Sequence, residues 1–483
     1  MNTLGVNPSP STPGATPQSK TLGITYSACG RCRTLVPAKI ILRGDQVYFR
    51  KFCPACGEHE ALVCRDADYY LRCQRYVKPA WTPVEFAGRT DLPCPAGCGF
   101  CRRHEQHLCM PIVEITARCD LACPICLVDA GADWDMTVGE FSGLLDGLLR
   151  AERQIDALTL SGGEPLLHPR LLDIVDAVAA RPEVIRTSIS TNGLALLSRG
   201  GLLEELARRN VVISLQLDGF DDAVCLALRG RAMTADKREI LDRLARAGVT
   251  TSLTLTAAGG VNDHQFAPVL EYFFAQPHVV SLMVQPLAMA GRAAKWAVQD
   301  RLTVPETIQL LGRAGTLVRE EDFAPLPCSH PQCFALAYYL MLDGGGRVPL
   351  NQLIQAGPMM DALANRTIFG LDPAEHDRLK DMIYDLWSGP AGACPDSQAV
   401  LRTLRSVLDE VTGGGFEPRA AFRLAERRVK SIFIHAFQDA DTFDLARVRR
   451  CCNAYAQADG RLIPACVHNV LGRKTGTGAI FRP

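Results

Sequence analysis

Between Ile112 and Leu287 the chain alternates, again and again, short runs rich in Val, Ile, Leu and Thr with longer segments of helical apolar spacing. The period of each run predicts strands at 112–116, 157–161, 185–190, 211–217, 250–256 and 280–285. Helices are predicted near 137–152, 169–180, 194–209, 234–248 and 263–276. Six such β/α units joined by right-handed crossovers make an α/β fold, a partial TIM-like (β/α)6 barrel of parallel strands. Ligands of such barrels sit at the carboxyl ends of the strands, so the residues that close each strand are the candidate site.

The first strand runs out into Cys119-Asp120-Leu121-Ala122-Cys123-Pro124-Ile125-Cys126. Three thiolates on one loop can hold three corners of an iron–sulfur cubane and leave the fourth iron without a protein ligand. S-adenosylmethionine (SAM) can fill that position through its amino and carboxylate groups, and an electron passed to its sulfonium releases a 5'-deoxyadenosyl radical. The second strand ends in Gly162-Gly163-Glu164-Pro165. Glycine there permits close backbone approach to a ligand, and the Glu164 carboxylate can accept from an ammonium group. Ser190 and Asn192 close the third strand and are candidates for the ribose or carboxylate of the same cofactor. Gln216 and Asp218 close the fourth, Gln285 the sixth, and Arg292 lies just beyond; each could equally be a turn residue bonded locally.

The remaining cysteines, of 20 in all, are also clustered at metal-ligand spacings, which in a chain of this size favours metal over disulfides. Cys29/Cys32 and Cys53/Cys56 are two knuckles flanking a predicted hairpin, Lys39 to Phe52, and fit a tetrahedral four-thiolate site for Zn or a single Fe. Cys94, Cys98, Cys101 and Cys109 suit a further [4Fe-4S] cluster, with His104 and His107 as alternative fourth ligands. Cys328 and Cys333, with Cys451 and Cys466 near the far end, suit another; of the adjacent pair Cys451/Cys452, one is then spare. Cys64, Cys73 and Cys394 read as ordinary buried thiols. Beyond the barrel, helices are predicted at 302–319, 372–387, 396–411 and 444–450.

The order C-x3-C-x2-C then GGEP resembles the radical SAM superfamily. The wider set, the CPxxCGxCxxH loop, LQLDG, CxHPxC and the terminal RCC…GRLIPxC, is similar to a group containing tetraether lipid synthases and pterin methylating enzymes. That resemblance implies a SAM-binding [4Fe-4S] cluster, two auxiliary clusters, a rubredoxin-like mononuclear metal, and radical chemistry at unactivated C–H positions. It implies these parts: a disordered lead (1–21), a rubredoxin-like or zinc-ribbon module (22–75), an auxiliary cluster loop (76–110), the radical SAM barrel (111–295) and a C-terminal cysteine-rich extension (296–483). Two residues depart from the pattern. Ile125 stands where many such proteins place an aromatic residue on adenine, and Pro464-Ala465-Cys466 lacks an aromatic residue before the cysteine.

The functional expectation is carbon–carbon coupling of lipid hydrocarbon chains. The alternative is radical SAM methylation of a pterin or other small molecule, and a multi-cluster electron-transfer protein ranks last. A lipid coupler calls for a long apolar tunnel and a pterin enzyme for a short polar pocket. Net charge of zero gives no electrostatic grip on nucleic acid. No apolar run is long enough for a membrane span and no secretion signal is visible, so a cytoplasmic location is expected, with peripheral lipid contact left open. A reductant such as ferredoxin or flavodoxin is the expected partner.

Overall fold

The computed structural model describes residues 19–472 apart from 87, 89–90, 93, 96, 129, 296–300, 344, 355, 367–396, 413–422 and 424–425. The predicted helix at 372–387 and Cys394 lie outside the described residues.

The chain opens with a four-stranded antiparallel sheet, β1 (Ser19–Ala28), β2 (Leu35–Arg43), β3 (Gln46–Cys53) and β4 (Gly57–Cys64), followed by helix α1 (Ala67–Cys73). Gly44, at φ 58°, makes the tight β2–β3 turn that the sequence suggests. The sheet is held to the rest of the molecule by Lys51, whose buried ammonium donates to the carbonyls of Ala28 (2.6 Å) and Asp441 (2.7 Å).

Six parallel strands then follow as read from the sequence: β5 (Met110–Thr116), β6 (Ile155–Gly162), β7 (Val184–Thr191), β8 (Val212–Gln216), β9 (Thr251–Ala257) and β10 (Val279–Pro286). They are joined by α2 (Val138–Glu152), α3 (Leu171–Ala179), α4 (Ala195–Ser198), α5 (Leu202–Arg208), α6 (Asp222–Arg229), α7 (Thr234–Arg246) and α8 (Phe266–Ala275). The helix expected at 194–209 is two helices, because Gly200-Gly201 interrupts it and Gly201 sits at φ 77°. Helix α6 has no counterpart in the sequence reading; Asp221 caps it by accepting from the Ala223 N–H. The helix expected at 302–319 is α9 (Val304–Arg313), which stops before Gly315 at φ 132°.

Period-two alternation divides the strands between two environments. Leu158 and Leu160 of β6, Leu215 of β8, Leu253 and Leu255 of β9 and Leu282 and Val284 of β10 are buried in the core that the helices cover. Their neighbours Thr159, Ser161, Ser214, Gln216, Ser252, Thr254 and Ser281 face the barrel interior and line a cavity there. The sheet does not end at β10. Among the described residues it has twelve strands, because β11 (Ala324–Pro325), β12 (Phe334–Met341), β13 (Arg347–Pro349), β14 (Val429–His435), β15 (Asn453–Ala456) and β16 (Leu462–Pro464) join it. Strand β14 lies parallel to β10 as a seventh barrel strand, with β12 antiparallel beyond it. At the opposite edge β15 lies parallel to β5.

Candidate active site and metal centres

Cys119, Cys123 and Cys126 stand on the loop leaving β5, half-buried, and all three line the barrel cavity. Backbone contacts hold the loop. Gly163 N–H donates to the Thr116 carbonyl (2.8 Å), Glu164 N–H to Arg118 (2.6 Å), and Arg292 N–H to Cys126 (2.9 Å). A Cβ on Gly162 would meet Thr116 O at 2.2 Å and one on Gly163 would meet Arg118 O at 2.1 Å, with Gly162 at φ 127°. The sequence reading gave these glycines to ligand approach; the structure gives their closest approach to the cysteine loop itself. Burial pushes the Cys119 thiol up to about 12 and raises Cys123, so binding of iron has to drive their ionisation.

Glu164 is fully buried at the cavity wall and accepts from Thr191 Oγ1 (2.6 Å), Asn192 N–H (2.8 Å) and Leu166 N–H (3.0 Å). Burial nevertheless lifts its carboxyl to about 7, against the pull of those donors. A buried carboxylate so short of positive charge suits a ligand ammonium, which is what the methionine end of SAM offers. Asn192 is committed locally, donating from Nδ2 to Asp120 (2.7 Å) and accepting from Leu194 N–H (2.8 Å), and so braces the cysteine loop. Ser190, Gln216 and Gln285 line the cavity.

Asp218 does not line it. Both its oxygens are taken by Arg229 (2.7 and 2.9 Å), and Oδ1 also accepts from Thr256 N–H (2.9 Å), because the buried guanidinium needs a counter-charge. Arg229, at the end of the unforeseen α6, does line the cavity, and its charge lies within range of the Cys123 thiol and favours its ionised form. Lys237 is the other cation the sequence reading passed over. It is buried under the site, donating to the carbonyls of Asn192 and Gln216 (both 2.6 Å) and to Gln216 Oε1 (3.1 Å), and burial lowers it to about 8. A lone Arg or Lys in a helical pattern carries no signal of its own; the charge pair with the strand-end Asp218 was the available clue. Ile125 packs with Val224, Leu228 and Leu287, an aliphatic wall where an aromatic face was expected.

The cavity, about 490 Å³, runs from this loop through the lumen to a buried ion pair, Arg186–Glu426 (2.9 Å), at the amino ends of the strands. One wall is hydroxyl-rich; the other, from β12 and β14, carries Phe334, Leu336, Tyr338, Phe433 and His435.

Cys29, Cys32, Cys53 and Cys56 come together with all four sulfurs within 4.8 Å of one another. A tetrahedral ion with 2.3 Å bonds sets its thiolates about 3.8 Å apart, so this set suits a single metal ion as expected. The remaining thiols are gathered otherwise than the spacing suggests. Cys98 lies beside Cys94 and Cys101. Cys109 turns away: it and Met110 donate their N–H groups to the Cys452 carbonyl (2.9 and 3.1 Å), and its thiol lies within electrostatic range of Cys328 and Cys452. Cys333, Cys451 and Cys466 lie within electrostatic range of one another, with Arg447 donating to Cys333 Sγ (3.3 Å). Cys452 also lies within electrostatic range of Cys333 and Cys451 and shares one buried cluster with Cys109, Cys328 and Cys333, so both halves of the adjacent pair stand among these thiols.

The residues that match family models agree with this geometry. Residues 113–273 match the radical SAM superfamily, and residues 21–65 match the HMPTM N-terminal zinc ribbon domain. The chain is a radical SAM enzyme with an N-terminal zinc ribbon. Along 93% of its length it is 24% identical to 7,8-dihydro-6-hydroxymethylpterin dimethyltransferase of Methanocaldococcus jannaschii, covering 94% of that protein. It is 28% identical to GTP 3',8-cyclase of Corynebacterium glutamicum over 46% of this chain and 58% of the cyclase. The structure of Streptococcus suis SuiB bound to S-adenosylmethionine superposes with a TM-score of 0.36 at 15% identity, over 42% of this chain and 46% of that one. Among the described residues no helix is long and apolar enough to cross a membrane.

Proposed function

We propose that this chain is a radical SAM methyltransferase acting on a pterin or a similar flat, polar heterocycle. One observation carries the reading: the resemblance to the pterin dimethyltransferase runs nearly end to end, through the ribbon, the barrel and the cysteine-rich extension. The cavity supports it. Ser188, Ser190, Ser214, Ser252, Thr254 and Ser281 make one wall a bank of hydroxyl groups, suited to the donor and acceptor edge of a fused ring, while Phe334 and Tyr338 offer apolar faces opposite. Ser214 pairs with Thr254 (3.1 Å) and Ser281 donates to Ser252 (2.7 Å), so part of this wall is held polar by hydrogen bonds between neighbouring strands.

Bound at the Cys119/Cys123/Cys126 loop, a [4Fe-4S] cluster and SAM would supply a 5'-deoxyadenosyl radical. The chain's own residues would do the rest. Glu164 would hold the amine, Arg229 would brace Cys123, and the hydroxyl wall would orient the substrate below. The groups Cys94/Cys98/Cys101, Cys109/Cys328/Cys452 and Cys333/Cys451/Cys466 would hold auxiliary iron–sulfur centres. A reductant such as ferredoxin or flavodoxin would supply the electron.

The test is anaerobic reconstitution with SAM, a strong reductant, 7,8-dihydro-6-hydroxymethylpterin and the small-molecule fraction of a cell extract as source of any further one-carbon donor. Mass spectrometry should show 5'-deoxyadenosine together with a pterin that has gained methyl groups. Lipid extracts that lose hydrogens and join chains, with the pterin unchanged, would overturn the assignment.

A further inference from the structure

Cys109, Cys328 and Cys452 share a buried cluster with Cys333, which Arg447 and Cys466 engage more strongly, and the side chain that reaches the Cys109 sulfur is a histidine. His107 Nε2 lies 3.4 Å from Cys109 Sγ, and His107 is within electrostatic range of Cys328. Its other nitrogen, Nδ1, is 3.2 Å from Glu152 Oε2. Glu152 is itself fixed: it closes α2, its side chain is 3% exposed, and Oε1 accepts from the Leu108 N–H (2.9 Å). A carboxylate on Nδ1 orients the ring, which is the arrangement metal-binding histidines use. Nε2 donates to the Asn365 carbonyl at 3.0 Å in the metal-free chain, so iron would displace a proton from this nitrogen, as it does from the thiols. Gln106 adds a donor to Cys109 Sγ at 3.6 Å.

We propose that His107 is the fourth ligand of an iron–sulfur cluster held by Cys109, Cys328 and Cys452, with Glu152 as its positioning residue. This rests on the reading that these thiols hold an auxiliary centre. The cluster, rather than a single ion, follows from that reading. Among the described residues only the ribbon cysteines have every pair of ligand atoms within 4.8 Å, as a single tetrahedral ion requires; the His107 set is spread wider. A nitrogen ligand in place of a fourth thiolate also removes one negative charge from the centre and raises its reduction potential, as imidazole does in Rieske centres. The remaining histidine of this loop, His104, points elsewhere, its Nε2 on the Cys451 carbonyl (2.8 Å) and its ring stacked on Phe100.

The deciding measurement is pulsed electron paramagnetic resonance of the reduced, reconstituted full chain without SAM, so that the SAM amine contributes no signal. A strongly coupled 14N nucleus should be present, and should vanish in H107C, which supplies a fourth thiolate and keeps its iron content. E152Q should keep the coupling but lose this iron to a chelator about 10–100-fold faster. No strong 14N coupling in a protein with full auxiliary iron, or a coupling unchanged in H107C, overturns the ligand assignment. A protein whose iron and sulfide content is unaltered in C109S, C328S and C452S would instead overturn the underlying reading that these thiols hold a cluster.

Discussion

Glu164 concentrates the electrostatics of the site in one side chain. Its carboxyl is pushed up to about 7 by burial, so below that pH the free protein carries it protonated. A cationic amine binds the ionised form, so SAM affinity should weaken as pH falls through about 7, by up to about tenfold per unit until the pKa of the complex is reached. Titration of SAM binding from pH 8 to pH 5.5 should show this slope in the parent protein and a flat, weaker profile in E164Q. A parallel slope in E164Q would assign the titration to another group. Glycine makes a second point at this scale. In G162A the new Cβ meets a carbonyl oxygen at 2.2 Å in a backbone conformation that alanine resists, at a cost of at least about 2 kcal/mol. Its signature is lowered iron content at the SAM loop along with a lower Tm. The motif residues themselves were legible in the sequence because the chemistry demands particular atoms: thiols at C-x3-C-x2-C and a carboxylate after two glycines. Arg229 and Lys237 were not, since their importance comes from burial beside Asp218 and Gln216, which only the tertiary structure reveals.

Elements explain why the structure gathers some cysteines otherwise than their spacing suggests. The reading by spacing joined Cys109 to Cys94, Cys98 and Cys101 because they are close in sequence, yet Cys109 immediately precedes β5 and is turned by its pairing with Cys452 toward the far segment. Cys452 is fully buried while Cys451 is partly exposed and its thiol donates to the Asn453 carbonyl (3.0 Å). The two should therefore separate by experiment. C452S should remove iron from the centre at Cys109 and Cys328, C451S from the centre at Cys333 and Cys466, each leaving the other's spectrum in place; identical losses from the two variants would contradict the grouping. C98A, which touches neither, should retain some SAM cleavage and stop product formation, whereas C123A should abolish cleavage. Helix α6 escaped notice because its eight residues give too little periodicity to distinguish it from loop, while the six barrel strands were plain from their apolar runs.

At the scale of the whole molecule the sheet is extended at both edges by its flanks. The sequence shows six β/α units but cannot show that β14 and β15, from residues 429–456, sit on their two edges, since pairing between strands so distant leaves no local trace. Cutting the chain after residue 295 would strip β14 from β10 and β15 from β5, exposing two unpaired edges and the hydroxyl-lined lumen. Such a fragment should aggregate or elute well above its expected size in gel filtration, and a compact monomer would show that the flanking strands are dispensable. The placement of β14 and β15 also bears on how the protein is made. Ribosomes deliver residues 429–456 late, so during synthesis the barrel stays ajar and the thiols of Cys109 and Cys328 wait for Cys452. Iron insertion at the proposed centre would then follow translation, and a cell short of iron would accumulate finished chains with unfilled sulfur pockets.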